Sequence, residues 1–183
     1  MMNLMPIEGG PVISLDGFPQ RSTEERLEGL ARELMTARAA LRSTELRGDL
    51  CEAEAVERAK RALRAGTGEQ RALRAACESV TVGEICEHIA TLIQSIPQGA
   101  PPDGYSAALT ADVGSLQPSR GAVEAACRRL RTTATFRPKI PEVLAAVREA
   151  GIMYKTALRA LDELPGQIAR AEHAHEQAEK PCR

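Results

Sequence analysis

Aromatic side chains are nearly missing from this chain: among 183 residues there is no tryptophan, and only two phenylalanines and two tyrosines occur. Strands are built from β-branched and aromatic runs, and none is found, so a sheet-based fold is not expected. Bases of single-stranded nucleic acid stack on aromatic rings, which no basic stretch here interleaves. Long apolar runs are lacking too. Nothing approaches the roughly 18 consecutive apolar residues that a membrane span needs, and the expectation is a soluble protein with no membrane partner. Nor is either charge in excess: 24 basic residues face 25 acidic ones, so no global field would hold the chain on nucleic acid or on an anionic membrane. Any such contact has to be local.

Paired cysteines are absent as well. Cys51, Cys77, Cys86, Cys127 and Cys182 are odd in number and contain no Cys-x-x-Cys. No basic flank precedes an apolar run at the start of the chain, and the pattern predicts a reducing, cytoplasmic setting. Signatures of catalysis are equally scarce. Cys86 and His88 stand two residues apart, as do His173 and His175, a spacing that points side chains to different faces of a helix instead of converging them on a metal. No nucleophile elbow and no Cys/His/acid arrangement is visible. Gly66-Thr67-Gly68 continues into Glu69 where a phosphate-cradling loop would place a further glycine and a lysine, so it reads as a turn. The sequence therefore predicts no metal, no cofactor and no enzyme active site.

What the chain does have is helix formers. Its 43% hydrophobic content is mostly aliphatic, and Ala, Leu, Arg and Glu, which lose little rotamer freedom on a helix, dominate from residue 23 onwards. The expected fold is all-α: a compact bundle of about four helices over residues 69–165, preceded by a helical hairpin or coiled-coil extension over 21–68. A disordered arm over 1–20 and a polar, helical or frayed tail over 166–183 complete the division. The arm is punctuated by Pro6, Gly9, Gly10, Pro11, Gly17 and Pro19, which prevent a helix.

Ser22-Thr23-Glu24-Glu25 fits a capping box and starts the first helix. Leu27, Leu30, Leu34, Ala37 and Leu41 then recur at three and four residues, forming a narrow seam that needs a partner. Two partners are open: another part of the chain, or a second copy, giving a homo-oligomer. Gly48-Asp49 ends that helix, and a second passes through Val56 and Leu63 to Gly66. A second capping box, Thr81-Val82-Gly83-Glu84, precedes the strongest amphipathic stripe, Val82, Ile85, Ile89, Leu92, Ile93 and Ile96. Pro97 to Gly104 must be a loop. A short element over Tyr105 to Leu116 follows, then a helix whose inner face is Val123, Ala126, Cys127 and Leu130. A helix over Ile140 to Val147 should stop at Gly151, and another beyond it should stop at Pro165.

One local charge anomaly stands out. Between Pro118 and Lys139, the basic residues Arg120, Arg128, Arg129, Arg131, Arg137 and Lys139 are opposed only by Glu124. Such a cluster can contact DNA phosphates or a partner, or it can be the solvated face of a surface helix, because Glu124 is spaced to pair with Arg120 or Arg128.

The stretch from Val82 to Ala150 resembles the small helical domain of the phage replicative-helicase loader and inhibitor family. The resemblance lies in the order of elements: an amphipathic helix ending at Pro97, a short helix carrying Tyr105, a longer helix over Ala122 to Leu130, and the segment Phe136-Arg137-Pro138-Lys139-Ile140-Pro141-Glu142-Val143. In the residue reading, Phe136 plugs the core, Pro138 and Pro141 stiffen the linker, Ile140 and Val143 start a core stripe, and Glu142 stabilises the helix start. The chain departs from the family in its long Ala/Leu/Arg-rich region before the domain. The resemblance implies a non-enzymatic replication accessory protein that binds a hexameric DnaB-type replicative helicase and loads or inhibits it, with single-stranded DNA as a further contact.

Overall fold

The computed structural model describes residues 22–47, 52–97 and 99–178, and within them the chain is all-helical. The arm expected over 1–20 and the Gly48-Asp49 turn lie outside these residues. Seven helices are found among the described residues, where about four were expected for the bundle: α1 (Thr23–Arg47), α2 (Glu52–Gly68), α3 (Gln70–Ala76), α4 (Val82–Ser95), α5 (Tyr105–Ser115), α6 (Arg120–Thr133) and α7 (Ile140–Ala178).

Both capping boxes form. Ser22 N–H donates to Glu25 at 3.3 Å while Glu25 N–H donates to Ser22 Oγ at 3.2 Å, and Thr81 and Glu84 reciprocate in the same way at the start of α4. Glu142 accepts the Lys139 N–H at 2.9 Å, closing the first turn of α7. These are the N–H groups that a helix start leaves without internal partners.

The architecture is organised around α7, 39 residues long. Its first half packs against α5 and α6, with α4 behind them; its second half is covered by the α1–α2 hairpin, and α3 lies between. The expected stops at Gly151 and Pro165 do not occur. A Cβ at Gly151 would make only ordinary contact, 3.6 Å from Ala122 Cβ. An interior proline costs about 3 kcal/mol, but Leu161, Leu164, Ile168 and Ala171 are buried on both sides of Pro165 and hold the helix through it. In the segment expected as a polar, helical or frayed tail, α7 continues, and Gln167, Ile168 and Ala171 are buried on it.

The leucine seam is buried within the chain. Leu27, Leu30, Leu34 and Leu41 are all at most 7% exposed, facing α2 and α7. Gly66 makes this closeness feasible: a Cβ there would lie 2.7 Å from Leu161 Cδ1 and 3.1 Å from Leu34 Cδ2. Of the two partners left open by the seam, the intramolecular one is found, and these leucines offer no surface to a second copy. The hairpin and the bundle share one hydrophobic core that includes Leu34, Leu161 and Val123.

Two further expectations need correction. Val82, placed on the apolar stripe of α4, is 67% exposed, because it starts the helix before the stripe reaches the core; Ile85, Ile89, Leu92 and Ile96 are buried as the periodicity implies. Phe136 does not plug the core and is 71% exposed. Tyr105 closes that end instead: its hydroxyl donates to the Pro138 carbonyl, and the Arg137 guanidinium sits over its ring, 5.9 Å from the centroid. Pro138 and Val143 are buried, Ile140 is half-buried and Glu142 is exposed.

Candidate interaction site

The side chains singled out between Pro118 and Lys139 do not make a common basic face. Arg120 pairs with Glu84 at 2.8 Å, and Arg129 pairs with Glu149 of α7 at 2.8 Å. Arg128, with its side chain only 18% exposed, bonds Glu28 of α1 and lies 4.0 Å from Glu24. Arg137 donates to the Gly99 carbonyl as well as stacking on Tyr105. Arg131 and Lys139 make no ion pair among the described residues. Most of this positive charge is therefore spent bracing helices, and little is left to neutralise phosphates.

That bracing frames a groove. Where α1 crosses α6 and α7, an open cleft of about 510 Å³ is bounded by Glu25, Glu28, Arg32 and Met35 from α1, by Ala125, Ala126, Arg128, Arg129 and Thr132 from α6, and by Glu149, Ala150, Ile152 and Met153 from α7. Each wall follows from a helical register. On α1, Glu25, Glu28, Arg32 and Met35 are spaced three, four and three residues apart, just beside the buried leucine seam. On α6, alanines at 125 and 126 are buried and keep the floor low. Ile152 is 67% exposed on one edge, and Met35 and Met153 are half-buried.

The electrostatics of the walls are settled internally. Arg128–Glu28 ties α1 to α6, Arg129–Glu149 ties α6 to α7, and Glu28 also accepts from Arg32 at 3.3 Å. Near this junction burial pushes the Tyr154 phenol up to about 12, with the Glu28 charge adding to it. Burial also lifts the Glu124 carboxyl above the usual carboxylate range, and the Glu24 charge lifts it further. Burial likewise raises the Cys127 thiol to about 11, so this cysteine is a core residue, not a nucleophile. The arrangement offers an apolar floor of alanine, methionine and isoleucine inside a rim of paired charges. Protein-binding grooves share that anatomy, and methionine adapts its shape to the group it receives.

Ile152, Met153, Met35 and Glu28 were not singled out by sequence reasoning. Ile152 flanks the core stripe of α7 as any surface residue can, and only the crossing of three helices distant in sequence turns it into an edge. Among the described residues, no three His, Cys, Asp or Glu side chains gather into a group that could hold a metal ion, and no helix is long and apolar enough to cross a membrane. Compared with known proteins, the chain matches no family model, no curated protein and no solved structure.

Proposed function

We propose that this protein is a non-enzymatic binding module whose α1–α6–α7 groove receives an apolar segment of another protein, and that the partner is a replicative helicase of the DnaB type. The observation that carries the binding reading is the groove itself: exposed Ile152 beside half-buried Met35 and Met153, in a rim whose charges, Glu25 apart, are already paired with one another. A rim so neutralised favours an occupant that brings apolar surface over one that brings charge. The choice of helicase comes from the sequence resemblance over Val82 to Ala150. Loading or inhibition of this kind requires no reactive group, only a different affinity for two states of the helicase.

The test is co-elution of the purified chain with its host's replicative helicase and a change in that helicase's ATPase rate. Ile152→Arg, at an exposed position, is expected to leave the helical signal intact while weakening the complex by about 30-fold, the effect of replacing an apolar anchor by a charge. Val82→Arg, at another exposed position on α4, is expected to leave the complex unchanged. Equal binding by wild type and Ile152→Arg would remove the groove from the account, and no complex with the helicase at all would remove the partner.

A further inference from the structure

The basic surface least committed to ion pairs lies not on α6 but on the outer side of α2 and α3, outside the region of resemblance. From Arg58 to Ala76 there are six basic residues and one acid, Glu69, and Glu69 is taken by Arg26 of α1. The two helices meet at Glu69, whose backbone departs from helical values at φ −105° and ψ 10°, while its N–H still donates to the Ala65 carbonyl at 3.3 Å and its carbonyl accepts the Leu73 N–H at 2.9 Å, so α3 continues the path of α2 with a local offset. Arg61, Arg64, Gly68 and Arg71 then follow one another at steps of three and four residues and share one stripe, about 15 Å long at 1.5 Å per residue.

Arg61, Arg64 and Arg71 are exposed and belong to no ion pair among the described residues. Their flanking arginines are weakly engaged: Arg58 meets the exposed Glu54 at 3.1 Å, and Arg74 meets Asp162 at 3.9 Å with both side chains about 60% exposed. Exposed pairs of this kind contribute at most about 1 kcal/mol and yield readily to a stronger anion. The floor of the stripe is low. Ala65 and Gly68 separate the arginines, and a Cβ on Gly68 would meet nothing within 4 Å. Open grooves of about 590 and 600 Å³ adjoin the two ends, the first bordered by Arg32, Arg58 and Arg61 with Glu33 as its one acid, the second by Arg71 and Arg74 with Glu78 as its one acid.

We infer that this stripe is a binding surface for the phosphate backbone of duplex DNA, engaged without regard to base sequence. A duplex presents one negative charge per about 1.7 Å of its axis, the anion that a line of arginines on a flat helix face matches best. No aromatic residue lies between Arg58 and Ala76 to stack on a base, so the contact positions the protein and does not read sequence. The exposed large apolar residues Val82, Phe136 and Ile152 lie on other elements, which leaves this face without the apolar groups that insert among lipids. Arg61, Arg64 and Arg71 line no part of the α1–α6–α7 groove, so this surface stands or falls without it.

Fluorescence anisotropy of the full chain with a short labelled duplex of mixed sequence, followed as salt rises from about 50 to about 200 mM, tests this. The R61A/R64A/R71A variant, confirmed folded by circular dichroism, is expected to bind at least ~10-fold more weakly, with the slope of log affinity against log salt smaller by about 2.7, three phosphates at about 0.9 each. Lysine at the same three positions is expected to restore most of the binding, and R131A/K139A, which removes two basic side chains outside any ion pair among the described residues, to retain wild-type affinity. The inference is overturned if the wild-type chain shows no binding at the lowest salt, or if the triple alanine variant binds as wild type does. It is equally overturned if polyglutamate or vesicles of anionic lipid, at matched charge, displace the protein as well as unlabelled duplex does.

Discussion

Gly121 lies where α3, α6 and α7 meet, and a Cβ built there would fall 2.7 Å from Ala76 Cβ, 3.0 Å from the Ala76 carbonyl and 3.1 Å from the Tyr154 ring. One of these neighbours is backbone, so the crowding cannot be relieved by a rotamer change alone. Gly121→Ala is therefore expected to destabilise by about 1–3 kcal/mol, the usual effect of overfilling a tight contact. Gly29 gives the opposite sign. It sits inside α1 with nothing within 4 Å of its Cβ position, and Gly29→Ala should stabilise by about 1 kcal/mol through helix propensity. Urea denaturation of both variants checks the contrast. Glu124 adds a pH dependence. Its carboxyl is raised in the folded state by burial and by Glu24, against the opposing charges of His88, Arg128 and Arg131. A raised acid holds its proton more tightly when folded, so its contribution is most favourable below the unfolded pKa and is lost as pH rises through the folded one. Glu124→Gln is accordingly expected to be more stable than wild type at pH ~7 and to lose that advantage near pH ~3, below the unfolded carboxyl's pKa, where the wild-type group is protonated in both states. A stability gap unchanged between the two pH values would show that ionisation is not its cause.

At the scale of elements, Pro165 is the clearest case of tertiary contacts overriding a local rule. It is exposed and interior to α7, so Pro165→Ala removes no buried contact and restores an N–H able to donate to the Leu161 carbonyl. The expected gain is about 2 kcal/mol, the interior-proline penalty less the extra freedom that alanine gives the unfolded chain; a thermal melt that does not rise would mean that α7 accommodates the proline without that penalty. The same helix shows what sequence reading can reach. Helix starts at Ser22 and Thr81 were legible because a capping box is complete within four residues, and the stripe Ile85, Ile89, Leu92, Ile96 because its period is local. The partner of the leucine seam was not legible, since Leu161 and Leu164 lie more than a hundred residues downstream of Leu34 and α7 reaches them only by continuing through Gly151. Ion pairs were misjudged for a related reason. The sequence spaces Glu124 to pair with Arg120 or Arg128, but the fold gives Arg128 to Glu28, 100 residues away, whereas the arginines of α2 and α3 stand among helix-forming residues of both charges and make no basic run in the sequence.

At the scale of the whole molecule, the question is whether the α1–α2 hairpin is an appendage or a structural half. Leu34 is fully buried at a point where α1, α2 and α7 converge on Gly66, while Val143, also fully buried, anchors the opposite end of α7. Because α7 is one unbroken helix that supplies core residues to both regions, loss of contacts at either end should be transmitted along it. Leu34→Ala is expected to destabilise by about 2–5 kcal/mol, and Val143→Ala by a smaller amount in keeping with its fewer methylene groups. Each should lower one common unfolding transition, seen at the same midpoint by helical circular dichroism and, in a Tyr105→Phe background that leaves one tyrosine, by the fluorescence of Tyr154, which is buried between the two regions. An appendage behaves differently: Leu34→Ala would then split off an early transition that removes part of the helical signal while leaving Tyr154 undisturbed. That result would also separate the groove from the bundle, because α1 forms one of its walls, and a groove whose wall comes away at low cost could not hold Ile152 and Met35 in register for a partner.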